Sequence, residues 1–412
     1  MPEIAEVARV THFLRQHLVG KKIGKVVAPD DSSIFGKVGT SGPAFQAALS
    51  GRRVVAAGSQ GKYFWLQLDA PPHPVLHLGM TGWVHVRGAP TAYTRYAERM
   101  DGAEKEAWPP KYWKFHLATS ADEGDGGDGE VCVAFTDARR FGRVRLVDCP
   151  GAEIRAHSPL VENGPDPVVD RERFTEEYLS TKMKARHVPI KALLLDQAMI
   201  SGIGNWVGDE IMYQAALHPE QYSDDFSDAE IAKLYKAICY VCDTAVEHLG
   251  DSDKFPADWL FHHRWGKGKK DAAKTLPSGE KMVFLTVGGR TSCVVPSRQK
   301  KTGRVAAGVK EEEAEAEAGP KKETKAKRGK NSHFFDGGED AHDEPEAKAE
   351  ARPAKKARGA ARKPIKEEDD EPVSVDRVDS KPKKGTRKTK EKPASPPDIG
   401  RRRSTRLSKT TS

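Results

Sequence analysis

The composition of the chain changes abruptly near residue 300, and this change limits which part can build a hydrophobic core. Of the 68 Lys and Arg and the 60 Asp and Glu residues, 30 and 22 lie in residues 301–412, which leaves a neutral body with 38 of each. The segment after Arg298 alternates basic and acidic blocks and has almost no large apolar residues. Such a composition cannot offset the entropy lost on ordering. We therefore predict a folded body up to residue 300 and a disordered charged tail over residues 301–412.

The N-terminus, the hydropathy and the cysteine content bear on the location of the protein. No apolar run approaches the ~18 residues that a membrane span needs, so we expect no membrane partner. Glu3 and Glu6 stand where a signal peptide would have a basic start and an apolar stretch. Five cysteines in 412 residues are too few for a disulfide scaffold and are typical of a reducing compartment. We expect a soluble intracellular protein.

Two hydrophobic periodicities divide the body into domains. Apolar residues at three- and four-residue steps predict a helix that begins near Ile4 and stops at Gly20. Short β-like runs with turns between them follow, so we predict a β-sandwich or barrel in an N-terminal domain at residues 1–150. Helical patterns then predict a second domain at residues 160–265, and residues 266–300 are predicted to form a hairpin. The fold class is α+β with several domains. The helices predicted in the second domain are residues 171–179, 190–199, 209–216 and 228–249, the last with Ser227 as N-cap.

The N-terminal Met1-Pro2-Glu3 is the first chemical signal. The small proline permits removal of Met1, which exposes a secondary amine that can add to an aldehyde carbon and form an iminium. Glu3 is placed to act as a general acid or base. In isolation the ordinary interpretation is favoured, because proline is common and an acidic residue in a first helical turn suits the helix dipole.

Four further segments suggest contacts with nucleic acid. Gly202-Ile203-Gly204-Asn205 lies between two predicted helices, where glycines let backbone N–H groups approach a phosphate; a tight corner that only needs close packing explains them equally well. Arg139 and Phe141 at a strand end, and Met80 on a Gly-flanked turn, suit loops that enter a duplex, although packing residues look the same. Arg290 at a hairpin tip can hold phosphates but carries little information alone.

Together these segments resemble the formamidopyrimidine-DNA glycosylase/endonuclease VIII family of base-excision repair enzymes, and the match spans nearly all of residues 2–299. The resemblance implies a β-sandwich with an N-terminal helix, a helix-two-turn-helix domain and a DNA-binding hairpin. It implies that Pro2 is the Schiff-base nucleophile and Glu3 the proton donor, with Glu6 and Glu210 as acidic residues lining the site. It implies that the phosphates are contacted by Lys62, Asn205 and Arg290, and that the phosphate-binding turn contains Gly202 and Gly204. The gap left by an extruded base would be filled by Met80, Arg139 and Phe141.

Two departures from the family pattern matter. Many members build the last hairpin as a four-cysteine zinc finger, whereas this chain has only Cys293 there. It resembles the zincless version of plant and fungal relatives, so we expect no zinc and no other cofactor. The usual M-P-E-L-P-E start is M-P-E-I-A-E here, and Ala5 in place of a proline removes no reacting group.

The resemblance implies a bifunctional DNA glycosylase/AP lyase that excises oxidised purine bases from damaged double-stranded DNA and cleaves the strand by β,δ-elimination. Two other classes stay open, a damaged-DNA-binding protein without catalysis and a small-molecule tautomerase that uses the N-terminal proline as a base. The basic clusters of the tail are typical of nuclear localisation signals or DNA tethers, and equally of a solvated spacer. We expect a nuclear monomer.

Overall fold

The computed structural model describes residues 2–92, 107–120, 129–267 and 274–305. The predicted tail from residue 306 onward, most of the acidic loop at residues 122–129 and part of the basic loop before the hairpin lie outside these ranges. None of the helices in the described ranges combines the length and the apolar composition that a membrane crossing requires.

The N-terminal part is a β-sandwich. It contains helices α1 (Ile4–Leu18) and α2 (Gly42–Leu49) and strands β1 (Ile23–Val27), β2 (Val54–Gln60), β3 (Tyr63–Leu68), β4 (His73–His77), β5 (Trp83–Val86), β6 (Trp113–Thr119), β7 (Cys132–Thr136) and β8 (Arg143–Val147). Two antiparallel four-stranded sheets have the orders β1-β6-β7-β5 and β2-β3-β4-β8. Alternation along β3 buries Phe64, Leu66 and Leu68 between the sheets. The predicted α+β fold is confirmed.

The second part is helical. It contains α3 (Glu176–Lys184), α4 (Ile190–Leu194), α5 (Asn205–Gln214) and α6 (Asp228–Glu247), followed by a hairpin of β9 (Val283–Val287) and β10 (Arg290–Val294). Short 3-10 turns lie at Gly36–Val38, Gly151–Ala156, Ser223–Asp225, Ser252–Lys254, Leu260–His262 and Arg264–Gly266.

Helix α1 contributes to two hydrophobic cores. Its first residues, Ile4 and Ala5, are buried in the core of the helical part. Val7, Val10 and Leu14, further along the same helix, are buried in the core of the sandwich. The start of α1 is therefore fixed at the junction of the two parts, and the preceding residues lie there with it.

Helix bounds differ from the predicted ones where side chains cap the ends. Helix α3 begins later than predicted because the Thr175 hydroxyl accepts from the Tyr178 N–H and caps it. Helix α4 stops at Leu194, and α5 begins four residues before the predicted Asp209. The predicted Ser227 cap of α6 is confirmed, since its hydroxyl accepts from the Glu230 N–H.

The folded chain continues past the predicted boundary at residue 300. Lys300 pairs with Leu217 and Val305 with Gln221 in isolated β-bridges, and the Thr302 hydroxyl donates to Glu230 at 2.6 Å. The described fold therefore extends past the change in composition near residue 300. The short polar segment there is stabilised by hydrogen bonds to the helical part and not by apolar burial.

We predict that Gln299→Ala lowers the free energy of unfolding by about 1–3 kcal/mol. The Gln299 side chain is buried, donates to the Leu217 carbonyl at 3.0 Å and accepts from the Val295 N–H at 2.9 Å, so its loss leaves both groups unpaired. Urea unfolding measures the effect. The exposed neighbour Lys300→Ala is the control, and equal losses in both variants would contradict this account.

Candidate active site

The Glu3 carboxylate is fixed at the N-terminus of α5. It accepts from the N–H groups of Gly204 at 2.8 Å, Trp206 at 3.0 Å and Val207 at 3.1 Å, and the residue is 1% exposed. Unpaired N–H groups and the helix dipole at this end favour a negative charge. Because Pro2 precedes Glu3, the same contacts hold the half-buried Pro2 at the domain junction.

The two glycines of the turn allow close packing with the N-terminal segment, while their predicted role in DNA binding stays a prediction. The Gly204 N–H is bound to Glu3, and a Cβ there would lie 2.1 Å from the Glu3 carboxyl carbon. The Gly202 N–H donates to Gln197 at 3.0 Å, and a Cβ there would lie 2.9 Å from the Ile4 Cβ. Neither N–H is free for a phosphate, so the glycines allow the N-terminal segment to approach the turn.

Asn205 begins α5 beside these glycines and keeps an unused acceptor. Its backbone carbonyl accepts from the Lys191 ammonium at 2.9 Å. Its side-chain Oδ1 is buried and has no hydrogen-bond partner among the described residues. The residue is only half-buried, so its amide is available to a ligand in the junction. Its predicted role as a phosphate contact stays a prediction.

Lys62 is held against the helical part by the turn that precedes it. The Gly61 N–H donates to the buried Asp166 carboxylate at 2.7 Å, and Gly61 has a φ of +58°. A Cβ on Gly61 would lie 2.5 Å from the Ser201 Cβ, so the turn touches the loop before α5. The predicted lysine therefore lies at the junction.

Charges of four other residues act on the Lys62 ammonium. Burial lowers its pKa from the ordinary value, as does the positive charge of Arg290, whereas the carboxylates of Glu3 and Glu6 act in the opposite direction. The structure thus brings together Lys62, Glu3, Glu6 and Arg290, while their predicted roles stay predictions. Lys191, to which the sequence analysis gave no role, also lowers the Lys62 pKa.

Glu6 is a carboxyl group that exchanges a proton near neutral pH. One of its oxygens accepts from the Glu3 N–H at 2.9 Å. Burial raises its pKa to about 7, and the negative charge of Glu3 adds to the effect. A group with this pKa next to the N-terminal segment suits proton transfer to and from an amine.

The Glu210 carboxylate is bound by α5 and by the segment after α6, while its predicted place among the residues lining the site stays a prediction. Its carboxylate accepts from the Gln214 side chain and from the Phe261 N–H, both at 2.8 Å. It therefore holds the segment after α6 against α5. Its neighbour Asp209 points the other way and binds Lys191 at 2.6 Å. Successive helical residues lie about 100° apart, so the sequence motif alone did not tell which one faces the site.

The three gap-filling candidates lie on two loops that the buried Asp137 holds together. Its carboxylate accepts from the Thr81 hydroxyl at 2.5 Å, the Arg139 N–H at 3.2 Å and the Gly142 N–H at 2.7 Å. The Arg139 guanidinium lies 5.1 Å from the centre of the Phe141 ring, and Phe141 is 45% exposed.

The Met80 turn packs directly on the Phe141 loop. A Cβ on Gly79 would lie 2.4 Å from the Phe141 carbonyl carbon, so the two backbones touch. Met80 is half-buried beside this contact. The structure therefore brings Met80, Arg139 and Phe141 together at one loop tip, while their role in DNA stays a prediction.

His77 and Arg143 connect this tip with Lys62 and have no role in the sequence analysis. Tyr63, His77 and Arg143 stand in register across β3, β4 and β8. Burial lowers the His77 pKa to about 4, and the charges of Lys62 and Arg143 add to this effect, so its imidazole is neutral. The Arg-Val-Arg sequence of β8 was a signal that could have revealed this row of charges. Side chains alternate between the two faces of a strand, so both arginines lie on one face.

The described residues contain no group of three or more His, Cys, Asp or Glu side chains that could hold a metal ion. Cys293 is buried in β10, and burial raises the pKa of its thiol to about 12, so the thiol is protonated at neutral pH. A zinc ligand must be a thiolate. That the protein needs no zinc, and belongs to the zincless type, stays a prediction.

Comparison with known proteins agrees with this architecture. The model of the formamidopyrimidine-DNA glycosylase N-terminal domain matches residues 1–144, and that of the formamidopyrimidine-DNA glycosylase H2TH domain matches residues 163–256. A formamidopyrimidine-DNA glycosylase of Arabidopsis thaliana is 37% identical over 305 residues, which is 74% of this chain and 72% of that protein. One of Dinoroseobacter shibae is 31% identical over 310 residues, which is 73% of this chain and 100% of that protein.

A solved structure shows the same fold. Lactococcus lactis formamidopyrimidine-DNA glycosylase, crystallised non-covalently bound to DNA with an AP site, has a TM-score of 0.56 at 22% identity and covers 73% of this chain and 100% of that chain. The matches give this chain the architecture of a DNA glycosylase, the enzyme class that the sequence predicts. The chain belongs to the formamidopyrimidine-DNA glycosylase family.

We predict that the buried Glu210 makes the protein less stable as the pH rises. Burial raises its pKa from 4.5 to about 7, so folding takes up a proton between these values. The stability that this proton provides is complete below pH 4.5 and is lost as the pH rises through 7. Between about pH 5.5 and 8 the free energy of unfolding of the wild type should fall by about 2 kcal/mol more than that of Glu210→Gln.

Urea unfolding at the two pH values measures this difference. Glu162→Gln, a change at an exposed carboxyl group, is the control and should follow the wild type. Parallel pH dependence in the wild type and Glu210→Gln would show that Glu210 is ionised in the folded protein.

Proposed function

We propose that this protein is a bifunctional DNA glycosylase/AP lyase that acts on oxidised purines in double-stranded DNA through a Schiff base on Pro2. The observation that carries the proposal is the Glu3 carboxylate bound by three N–H groups of the α5 turn, which holds Pro2 beside Glu6 and Lys62. The family relatives carry the glycosylase name, and a protein of the same fold binds AP-site DNA.

The first step places the damaged nucleotide in the junction. A base inside a duplex is out of reach of an amine, so the nucleotide must leave the stack. Met80, Arg139 and Phe141, which lie together at the loop tip, would fill the vacancy, which offsets part of the unstacking cost of a few kcal/mol. The cations between this tip and the junction would follow the strand that carries the lesion.

The chemistry then belongs to the N-terminal segment. The neutral Pro2 amine attacks C1′, and the damaged base leaves with the electron pair of its glycosidic bond. The Glu3 carboxylate takes the remaining N–H proton of Pro2 and passes it to the sugar ring oxygen, so that the C1′–O4′ bond breaks as the double bond between Pro2 and C1′ forms. The product is an iminium that withdraws electrons and acidifies the C2′ proton. Loss of this proton expels the 3′ phosphate by β-elimination, and a second elimination expels the 5′ phosphate.

Glu6 and the phosphate contacts support these steps. With a pKa of about 7, Glu6 can take the proton that the Pro2 amine must lose before attack. Lys62, Asn205 and Arg290 would hold the phosphates that flank the lesion. Such positioning can supply several kcal/mol of the barrier reduction.

We predict that borohydride traps a covalent complex between the wild type and a duplex with an abasic site. Pro2→Leu should abolish trapping, because a bulky second residue hinders removal of Met1 and replaces the secondary amine. Glu3→Gln is the matched control: it retains the amine, so it should still be trapped on abasic DNA while excision of a damaged base falls by at least about 100-fold.

The outcomes separate the candidate functions. DNA binding without trapping by the wild type would indicate a damaged-DNA-binding protein without catalysis. An adduct that persists in Pro2→Leu would exclude Pro2 as the nucleophile. Duplexes with single lesions, comparing oxidised purines with oxidised pyrimidines, test the substrate, and faster release of pyrimidines would overturn the purine assignment.

The tail is proposed to be a DNA tether that also directs the protein to the nucleus. Its basic clusters release counterions when they contact phosphates, so they raise non-specific affinity in a salt-dependent way. Because ordered contacts continue to Val305, the tail is best removed after that residue.

We predict that deleting residues 306–412 flattens the plot of log affinity for undamaged DNA against log salt while borohydride trapping is unchanged. A fluorescent fusion of the same deletion should lose its nuclear accumulation. An unchanged salt slope would show that the tail is a solvated spacer.

A further inference from the structure

Asp209 is the centre of a fully buried charge cluster that the mechanism does not use. Its side chain and that of Lys191 are 0% exposed, and that of Arg264 is 6% exposed. One carboxylate oxygen accepts from the Lys191 ammonium at 2.6 Å, and the other from the Arg264 guanidinium at 2.8 Å and from the Cys293 N–H at 3.0 Å. The cluster thus connects α4, α5, the segment before the hairpin and β10.

One side of the cluster faces the reactive junction. The Lys191 ammonium also donates to the Asn205 carbonyl at 2.9 Å, and its charge lowers the pKa of Lys62. The Lys191 ammonium is therefore close to Asn205 and Lys62, two of the predicted phosphate contacts. Asp209 neutralises part of the positive charge assembled there.

The other side holds the hairpin. Cys293 is in β10, which begins at Arg290, so the bond from Asp209 fixes the strand that carries this arginine. At the tip, a Cβ on Gly288 would lie 2.9 Å from the Ala192 Cβ on α4, next to Lys191. The hairpin is therefore tied to the helical part at two points on either side of Arg290.

The charges of the cluster make Asp209 indispensable to it. One carboxylate faces two cations in a buried place, and without it both cations would remain buried and unpaired. Burial disfavours ionisation of Asp209, but the charges of Lys191 and Arg264 outweigh it, so its pKa lies below the ordinary value. The carboxylate is ionised at every pH at which the protein would act.

We propose that Asp209 is a positioning residue that aims Arg290 at the phosphate of bound DNA. It acts through the Cys293 N–H and with Lys191 and Arg264, and it touches neither DNA nor Pro2. The proposal rests on the proposed function, because it gives Arg290 a phosphate to hold. In this proposal a buried carboxylate fixes the position of the hairpin relative to Lys62.

A double-mutant cycle tests this coupling. Asp209→Asn, Arg290→Gln and the double variant are compared in their affinity for a duplex with a tetrahydrofuran abasic analogue over a range of salt concentrations. If Asp209 acts through Arg290, each single variant should bind about tenfold more weakly and lose about one phosphate contact from the salt slope. The double variant should bind no more than about twofold more weakly than either.

A purely structural role would give a different result. Losses that multiply in the double variant, or a salt slope that Asp209→Asn leaves unchanged, would overturn the proposal. Asp243→Asn is the matched control, because this exposed carboxylate on α6 pairs with Arg171 away from the hairpin, and it should leave affinity and slope unchanged.

A second variant keeps the test valid if Asp209→Asn does not fold. Asp209→Glu retains the charge that Lys191 and Arg264 require but moves the acceptor away from the Cys293 N–H. It should fold and still lose the salt-slope contribution of Arg290, and a wild-type slope would count against the proposal. Borohydride trapping at saturating protein should persist in both variants, and its failure in the wild type would refute the proposed function instead.

Discussion

The bond between the Glu3 carboxylate and the α5 turn is the interaction on which the other features of the site depend. Three N–H groups converge on one buried carboxylate, and α1 then carries the chain from the helical core into the sandwich core. The charged acceptor makes these hydrogen bonds stronger than neutral ones. Hence the N-terminal segment, which is mobile in most proteins, is fixed between two domains.

This arrangement determines the electrostatics of the junction. A carboxylate fixed at Glu3 makes ionisation of the nearby buried Glu6 unfavourable and partly compensates the positive charges near Lys62. An amine in the same place meets a proton acceptor with a pKa of about 7. In the proposed mechanism the position of Pro2 matters, because an identical proline on an exposed terminus would stay protonated and solvated.

The sequence predicted the elements that depend on local pattern. The periodicity of α1, the alternation of β3 and the Ser227 cap all involve neighbours within a few residues. The Gly204 turn was predicted to contact phosphate, and the sequence could not show that its N–H donates to Glu3, because Glu3 is 201 residues away in the chain. Glu210 was predicted to line the site, and its contacts with Gln214 and the Phe261 N–H depend on how the segment after α6 packs on α5, which no local pattern shows.

One kind of contact is common to Glu3 and to three carboxylates to which the sequence analysis gave no role. Four buried carboxylates each hold backbone N–H groups of a segment that carries a predicted DNA contact. They are Glu3 at the start of α5, Asp137 at the Arg139–Phe141 loop, Asp166 at the Lys62 turn and Asp209 at the Arg290 strand.

Negative groups suit this purpose for two reasons. A carboxylate binds several N–H groups at once and so fixes a loop that has few apolar contacts. It also offsets the repulsion among cations that must stay close together before a phosphate arrives. Since the backbone N–H groups carry no sequence signal, the carboxylates are the part of this device that a sequence can reveal, and only the fold shows which loop each one holds.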